Sequence, residues 1–317
     1  MQHYINIISL LLGLFLFSVS CENEDPASFL RYDNAIKVDI PLSGSMQNPA
    51  FSPDGNDLVF TRFRNGYNKE PADLFIYHIE TNKLDTLVTD GSANVNLPGS
   101  SWNSQKQLIV FSSSRDPHDE IYFIKDNGAP GEEIRITGRT DFVAYEPTFS
   151  PDGEWIVFES HPLDVEKQGV IMKHRLDASI AYQALTDSND DSRQPNWSPS
   201  GNYILFQKYE NRQWDIWIMK PDGSDKRKVT SGEGDKTDAC FTKDGQYIIY
   251  SSDSDLKFAN IYKISIEGGD PERLSNYEGY DGAPSISPDG SNISFESFGG
   301  DPDKSDGTSI WMMEISQ

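Results

Sequence analysis

The chain of 317 residues carries 27 Lys and Arg against 50 Asp and Glu, which gives it a formal net charge of −23. This balance argues against a nucleic-acid ligand, because binding phosphate groups requires a basic surface. Such acidity ordinarily serves solubility and does not by itself indicate a partner.

The first twenty residues have the pattern of a targeting segment. They contain no Lys, Arg, Asp or Glu, and the apolar run at 7–17 is shorter than the roughly 20 residues of a membrane-spanning helix. Small residues, Ser18 and Ser20, precede Cys21. The arrangement resembles a bacterial lipoprotein signal, and this implies cleavage after residue 20 and lipidation of Cys21. An uncleaved anchor is the alternative, and it would leave the following domain on the same side of the membrane.

Residues 21–34 are acidic and polar, without a strand pattern, and they are interpreted as a tether behind the anchor. With Cys21 lipidated, Cys240 is the only remaining thiol, so no intramolecular disulfide can form and the core must stabilise the fold. The acidic residues after Cys21 resemble an export signal of lipoproteins from Bacteroides-like bacteria. The expected location is the outer membrane, with the domain facing either the periplasm or the cell exterior.

A hairpin pattern recurs six times along the rest of the chain. It is aligned on an apolar residue that ends a first strand, namely Phe51, Trp102, Phe149, Trp197, Phe241 and Ile286. Seven residues later every unit has Leu or Ile, and nine residues later every unit has Phe or Tyr. This alternation predicts a second strand with one buried face. The Ser-Pro-Asp-Gly sequence between the two strands, as at 150–153, is turn chemistry rather than catalytic chemistry.

Each unit then offers a third apolar strand, and the first five offer a short fourth strand. The segment 35–44 has the composition of the missing fourth strand of unit six, although it precedes unit one. Four-stranded units of about 45 residues without helical periodicity predict an all-β fold. The predicted architecture is a six-bladed β-propeller of four-stranded antiparallel blades over 35–317, closed by the N-terminal strand.

The most regular copies of the repeat lie at 49–60, 147–158, 195–206 and 284–295, where a proline precedes the Ser-Pro hairpin and the apolar second strand. This pattern resembles the repeat of TolB-like propellers and covers essentially the whole mature chain. The resemblance implies the propeller fold. It implies little about function, because the repeat occurs in translocation proteins, peptidase propellers and uncharacterised lipoproteins.

Strand direction places the candidate binding residues on one face. The loops predicted between second and third strands, at 61–72, 112–119, 159–169, 207–215, 251–259 and 296–308, share a face with the links between blades. Loops on a rigid scaffold commonly carry binding residues. Polar residues three positions before the alignment residue, together with polar residues of the adjoining loops, predict a mixed-charge channel mouth formed by Asn48, Arg62, Arg115, Glu146, His161, Gln194, Lys208 and Asp238.

Signals for metal binding and catalysis are sparse. Asp301, Asp303 and Asp306 could wrap calcium, but they lack the spacing of an EF-hand loop. No G-x-S-x-G, H-E-x-x-H or phosphate-binding loop occurs, so no cofactor is expected.

The sequence therefore favours a lipid-anchored, non-catalytic propeller, monomeric as a domain and attached to the membrane only through its lipid. It is expected to bind an envelope protein, peptide or glycan at the channel mouth. The alternative is a polysaccharide lyase or hydrolase that uses His161 or Glu146 as its base.

Overall fold

The computed structural model describes residues 29–89, 91, 95–96, 102–103, 105–163, 165, 167–177, 181–301 and 307–315. These residues form strands, turns and loops. None of the described segments is a helix of the length and hydrophobicity that crossing a membrane requires. In chain order the strands are β1 (Ile36–Lys37), β2 (Ser45–Phe51), β3 (Asp57–Phe63), β4 (Ala72–His78), β5 (Lys83–Val88), β6 (Val95–Asn96), β7 (Trp102–Asn103), β8 (Leu108–Ser113), β9 (Glu120–Lys125), β10 (Ile134–Arg135), β11 (Phe142–Phe149), β12 (Trp155–Pro162), β13 (Val170–Arg175), β14 (Gln183–Ala184), β15 (Asp191–Trp197), β16 (Ile204–Glu210), β17 (Gln213–Met219), β18 (Arg227–Lys228), β19 (Lys236–Phe241), β20 (Tyr247–Ser252), β21 (Asn260–Ser265), β22 (Glu272–Arg273), β23 (Tyr280–Ile286), β24 (Asn292–Phe298) and β25 (Ser309–Glu314).

The strands form six antiparallel sheets, which are the blades. Blades one, three, four and five each contain four consecutive strands: β2–β5, β11–β14, β15–β18 and β19–β22. In blade two, β6 and β7 both pair with β8 and together occupy the place of the first strand, followed by β9 and β10. Blade six has the order β23, β24, β25, β1. The predicted six-bladed propeller is confirmed.

The N-terminal strand closes the ring at the predicted place. Ile36 pairs with Met312 and Lys37 with Trp311, so β1 is the fourth strand of blade six. The strand is shorter than the predicted 35–44, because only these two residues form the ladder. Ile40, which lies beyond it, is buried in a cluster shared with blade one.

The hydrophobic core lies between blades rather than inside one sheet. Each of the six core clusters joins residues of two neighbouring blades. For example, Val157 and Ile171 of blade three pack with Ile204 and Phe206 of blade four. Cys240 lies in the cluster between blades five and six, and burial raises the pKa of its thiol to about 12, as suits a structural thiol.

The Ser-Pro-Asp-Gly turns are stabilised by their own side chains. In blade one the Ser52 hydroxyl donates to Asp54 at 2.6 Å, and the amide of Asp57 donates to the Ser52 hydroxyl at 3.0 Å. These turns lie on the face of the ring opposite the blade-to-blade links and are called the turn face. The hydrogen bond from Ser52 holds the pKa of Asp54 below its usual value. The Asp54 carboxylate thus stabilises the turn itself.

The described part of the predicted tether, residues 29–34, packs on the propeller. Arg31 forms a bridge with Tyr277, and its guanidinium donates to the fully buried Asp281 at 2.6 and 3.0 Å. The same guanidinium lies 4.1 Å from the ring centroid of Tyr277 and 4.6 Å from that of Trp311. Residues 29–34, which the sequence assigned to the tether, therefore pack against the propeller.

We expect Arg31→Ala to destabilise the protein by about 3 kcal/mol, because it leaves the Asp281 carboxylate buried without its counter-ion. Equilibrium denaturation with urea measures this change. Arg135→Ala is the matched control, since the Arg135 side chain is 48% exposed and its pair with Asp116 should contribute at most about 1 kcal/mol. Equal effects of the two substitutions would contradict the expectation.

Candidate functional site

The face opposite the turn face carries the loops between second and third strands and the links between blades, and it is called the long-loop face. The second strands extend further toward it than predicted. Arg62, His161 and Lys208 lie within β3, β12 and β16 rather than in loops. The predicted loop 207–215 is wrong: β16 and β17 pair along this stretch and are joined by a turn at Asn211 and Arg212, both with positive φ.

A bulge recurs in the first strand of five blades on the channel side. At the positions three before the alignment residue, the φ angles are between 47° and 52° for the residues Asn48, Glu146, Gln194, Asp238 and Ala283, here called the bulge residues. The strand register shifts at each of them. A non-glycine residue at such a φ is uncommon, and a bulge redirects its side chain. All five line one axial cavity at the channel mouth.

A second ring of polar residues lies directly behind the bulge residues. One position beyond the buried Phe or Tyr of each second strand, every blade has a polar residue that is at most 6% exposed: Thr61, Ser112, Glu159, Gln207, Ser251 and Glu296. These are called the second-strand polar residues. Contacts between the two sets include the hydrogen bond from the Asn48 amide to Glu296 at 3.2 Å and that from the Ser251 hydroxyl to Asp238 at 3.1 Å.

The axial cavity, of about 280 Å³, is lined chiefly by carboxylates, amides and tyrosines. On one side, Glu296 accepts hydrogen bonds from the Tyr280 hydroxyl at 2.9 Å, the Tyr67 hydroxyl at 3.2 Å and the Asn48 amide at 3.2 Å. On the other side, the Gln194 side-chain amide donates to Asp238 at 3.0 Å and to Glu146 at 3.2 Å. The bulge residues are thus connected across blades three to five.

A larger cavity of about 600 Å³ lies beside the axial one, over blades three and four, and is called the side cavity. It shares Glu146 and Gln194 with the axial cavity. The rest of its lining consists of Tyr145, Glu159, His161, Lys167, Asp191, Arg193, Gln207, Tyr209 and Trp214. The two cavities form a continuous concave site that combines aromatic surface with buried charge.

Burial alters the protonation of the acidic groups in both cavities. It raises the pKa of Glu146 to about 7, with a further contribution from the charge of Asp238. It raises the pKa of Glu296 to about 7 for the same two reasons. The pKa of Glu159 is also raised, by burial and then by the charge of Glu146. Near neutral pH the carboxyl groups of Glu146 and Glu296 therefore gain or lose protons readily.

Five of the eight predicted binding residues come together at these cavities: Asn48, Glu146, His161, Gln194 and Asp238. The other three contact groups elsewhere in their blades. Arg62 pairs with Asp73, Arg115 with Glu133, and Lys208 with Asp190 at 2.9 Å. Cys21, Asp303 and Asp306 lie outside the described residues, whereas Asp301 is described.

His161 lies in the side cavity, where its ring packs on Tyr145 with 5.4 Å between centroids. Its Nε2 atom is 3.9 Å from Glu159 Oε1, and burial lowers the pKa of the imidazole. Within the described residues, no group of three or more His, Cys, Asp or Glu side chains has an arrangement that could hold a metal ion.

Several site residues were missed by sequence reasoning. The second-strand polar residues could have been found from the sequence, because the residue directly after the Phe or Tyr of the second strand is polar in all six units. Tyr67 carries no such signal. It lies in a blade-one loop, yet its ring packs against Tyr280 of blade six with 6.3 Å between centroids.

Comparisons with known proteins agree with the fold. A family model described as the TolB beta propeller domain matches residues 19–213 and 189–304. The uncharacterised protein Atu1656 of Agrobacterium fabrum is 24% identical over 200 residues, which cover 63% of this chain and 65% of that protein. The Tol-Pal system protein TolB of Francisella tularensis subsp. holarctica is 32% identical over 163 residues, which cover 51% of this chain and 35% of that protein. The chain thus spans only part of the length of these curated relatives.

Two solved structures illustrate the range of proteins with this fold. The structure of a putative TolB from Agrobacterium tumefaciens has a TM-score of 0.62 and 17% identity, covering 86% of this chain and 91% of that one. An oligogalacturonate lyase in complex with manganese has a TM-score of 0.58 and 14% identity, covering 92% of this chain and 96% of that one. At these identities the likeness concerns the fold alone.

The raised pKa of Glu296 predicts a pH dependence of stability. Its carboxyl group ionises near pH 4.5 in the unfolded chain and near 7 in the folded protein, so the stability it contributes is lost as pH rises between these values. We expect Glu296→Gln to flatten this decline and to raise stability at about pH 8 by on the order of 2 kcal/mol.

Denaturation midpoints measured across this pH range test the prediction. Glu267→Gln is the control, because the Glu267 side chain is 75% exposed. If Glu296→Gln follows the wild-type pH profile, burial of this carboxyl group does not govern the decline.

Proposed function

This chain belongs to the TolB beta propeller domain family, and on that premise we propose that it is a lipid-anchored envelope protein whose long-loop face binds a peptide segment of another envelope protein. The observation that carries the proposal is the pair of joined cavities on this face, in which polar side chains are buried around an open concave surface. Such a surface, with aromatic walls and a few placed polar groups, is typical of binding sites.

The kind of partner is supported by one relative, which is named as a protein of the Tol-Pal system. Membership of a multi-protein system favours a protein ligand over a free small molecule. The side cavity offers Tyr209 and Trp214, whose rings pack together at 5.2 Å, and aromatic residues of this kind are enriched among the residues that dominate protein binding.

Anchoring through Cys21 is part of the same proposal. The apolar segment at 7–17, the small residues before Cys21 and the acidic residues after it support a lipoprotein in the outer membrane. A multiply acylated N-terminus would hold the protein firmly, whereas a single acyl chain binds only marginally.

Affinity purification of the protein from its own envelope tests the binding function. We expect Trp214→Ala to lower the affinity for the captured partner by about thirtyfold or more, because truncating a central aromatic contact has an effect of this size. Tyr247→Ala is the matched control, because Tyr247 is an aromatic residue that is 40% exposed and begins β20 at the turn face. Capture that depends on Tyr247 and not on Trp214 would place the binding surface elsewhere.

A second candidate, a polysaccharide lyase or hydrolase, is favoured by one observation. Glu146, with a pKa raised to about 7, and His161, with a lowered pKa, line the same cavity, and acid–base catalysis works best with groups that titrate near the working pH.

Incubation of the purified protein with acidic oligosaccharides tests this candidate. If it is an enzyme, cleavage should fall by about a hundredfold or more in both Glu146→Gln and His161→Ala. The control is His78→Ala, since His78 pairs with Asp57 and Asp85 away from the cavity. Absence of cleavage in the wild type would rule the candidate out for these substrates.

A further inference from the structure

The side cavity contains two buried acceptor atoms that no donor among the described residues reaches. Gln207 is only 6% exposed, and its Oε1 atom is buried without a hydrogen-bond partner. The Oε2 atom of Glu146 is in the same situation. Leaving a buried acceptor unpaired is unfavourable. Since both side chains line the cavity, a ligand bound there can provide the missing donors.

Glu159 adds a third acceptor group to the same wall. Its side chain is 5% exposed, and the neighbouring basic atoms Arg193 Nε and His161 Nε2 are 3.7 and 3.9 Å from its Oε1 atom. Both distances exceed that of a hydrogen bond. The Arg193 guanidinium instead donates to Asp191 at 3.0 and 3.3 Å. The Glu159 carboxylate accepts a hydrogen bond from the Gln194 backbone, but neither of these two basic side chains is within hydrogen-bond distance of it, so it retains capacity for a closer cationic partner.

The walls of the cavity suit a flat cationic group. Trp214 already carries the Arg193 guanidinium over its ring at 5.2 Å, and Tyr145 and Tyr209 provide further aromatic surface. A volume of about 600 Å³ admits a long side chain together with its backbone. Guanidinium combines five N–H donors in one plane with stacking on aromatic rings, whereas ammonium presents only three donors and no flat face.

We propose that the side cavity binds the guanidinium group of an arginine residue in the peptide ligand, with Glu146, Glu159 and Gln207 as its acceptors. The inference rests on the proposed function, because it specifies which residue of the ligand the long-loop face takes. A neutral sugar brings no charge that would favour the ionised forms of Glu146 and Glu159, whereas a guanidinium does, so an arginine peptide fits the cavity better than a glycan.

Binding of the cation is linked to proton release. Glu146 faces Asp238, Gln194 and Arg193, while Glu159 faces Glu146, Asp191, Arg193 and His161. Because burial raises the pKa of both carboxyl groups, they bind protons in the empty cavity, and a guanidinium favours their ionised form. Affinity for arginine should therefore increase as pH rises through about 7.

The test compares two peptides that differ only in charge and donor number. Isothermal titration calorimetry of the full-length protein would use acetyl-Gly-Arg-Gly-amide and its citrulline counterpart, in which a neutral urea replaces guanidinium. We expect saturable binding of the arginine peptide, about tenfold or more tighter than that of the citrulline peptide. This comparison needs no variant, so it stands even where a substitution impairs folding.

Variants then locate the site. Glu159→Gln should weaken the arginine peptide by about tenfold and leave the citrulline peptide unchanged. Gln207→Leu should weaken both peptides, because it removes an acceptor that either can use. Glu154→Gln, at a side chain that is 49% exposed beside the turn of blade three, should change neither.

The inference is overturned if the two peptides bind equally, if neither binds, or if Glu159→Gln has no effect on the arginine peptide. These outcomes are distinct from failure of the proposed function. A partner that still co-purifies through Trp214 while arginine and citrulline peptides bind equally would leave the binding function intact and remove only the guanidinium site.

Discussion

The fold depends on a single constraint: no blade can bury both of its faces alone. Every core cluster joins two neighbouring blades, so each sheet is completed by the next one. Six such contacts form a ring only if the last blade meets the first. The pairing of β1 with β25 and the packing of Ile310 with Phe60 provide this final contact. Closure also removes the exposed sheet edge that an open array would present.

The same ring explains why polar groups can be buried at its centre. The first strands converge on the channel, and each bulge turns one side chain toward the axis. The second-strand polar residues lie directly behind them and are almost fully buried. Glu146 and Glu296 consequently have raised pKa values, which means that the folded protein is less stable when they ionise. Groups that are unfavourable for stability and placed beside a cavity are expected at functional sites.

Much of the fold could be predicted from the sequence because strands alternate with a period of two. The positions seven and nine residues after each alignment residue, such as Ile156 and Phe158, predicted the buried face of each second strand. The residues at both positions are buried in all six units. The segment 35–44 identified the closing strand, although the ladder is limited to Ile36 and Lys37. The ends of strands were harder to predict from the sequence, because pairing between β16 and β17 continues past the apolar residues to Glu210 and Gln213.

The site was only partly predictable for a related reason. The column that contains Glu146 and Gln194 was identified as the channel mouth, but the bulge that redirects these side chains is a backbone feature without a fixed residue type. Arg62 and Lys208 were assigned to the mouth from chain position alone, yet in the folded protein they pair with Asp73 and Asp190. Tyr67 reaches the axis from a loop, and such long-range packing leaves no local pattern.

The path of the first described residues has a consequence for access to the site. Phe29 packs against Phe258 on the long-loop side of blade five, whereas Ile315 at the other end bonds to Ser291 beside a turn of the opposite face. A molecule held by its N-terminal side therefore presents its binding face to whatever surface holds it. The number of residues between that surface and Phe29 sets the height of the gap, at no more than about 3.5 Å per residue. In a chain held in this way, a ligand would enter sideways through the gap, whereas immobilisation through the C-terminal side would leave the proposed binding face open.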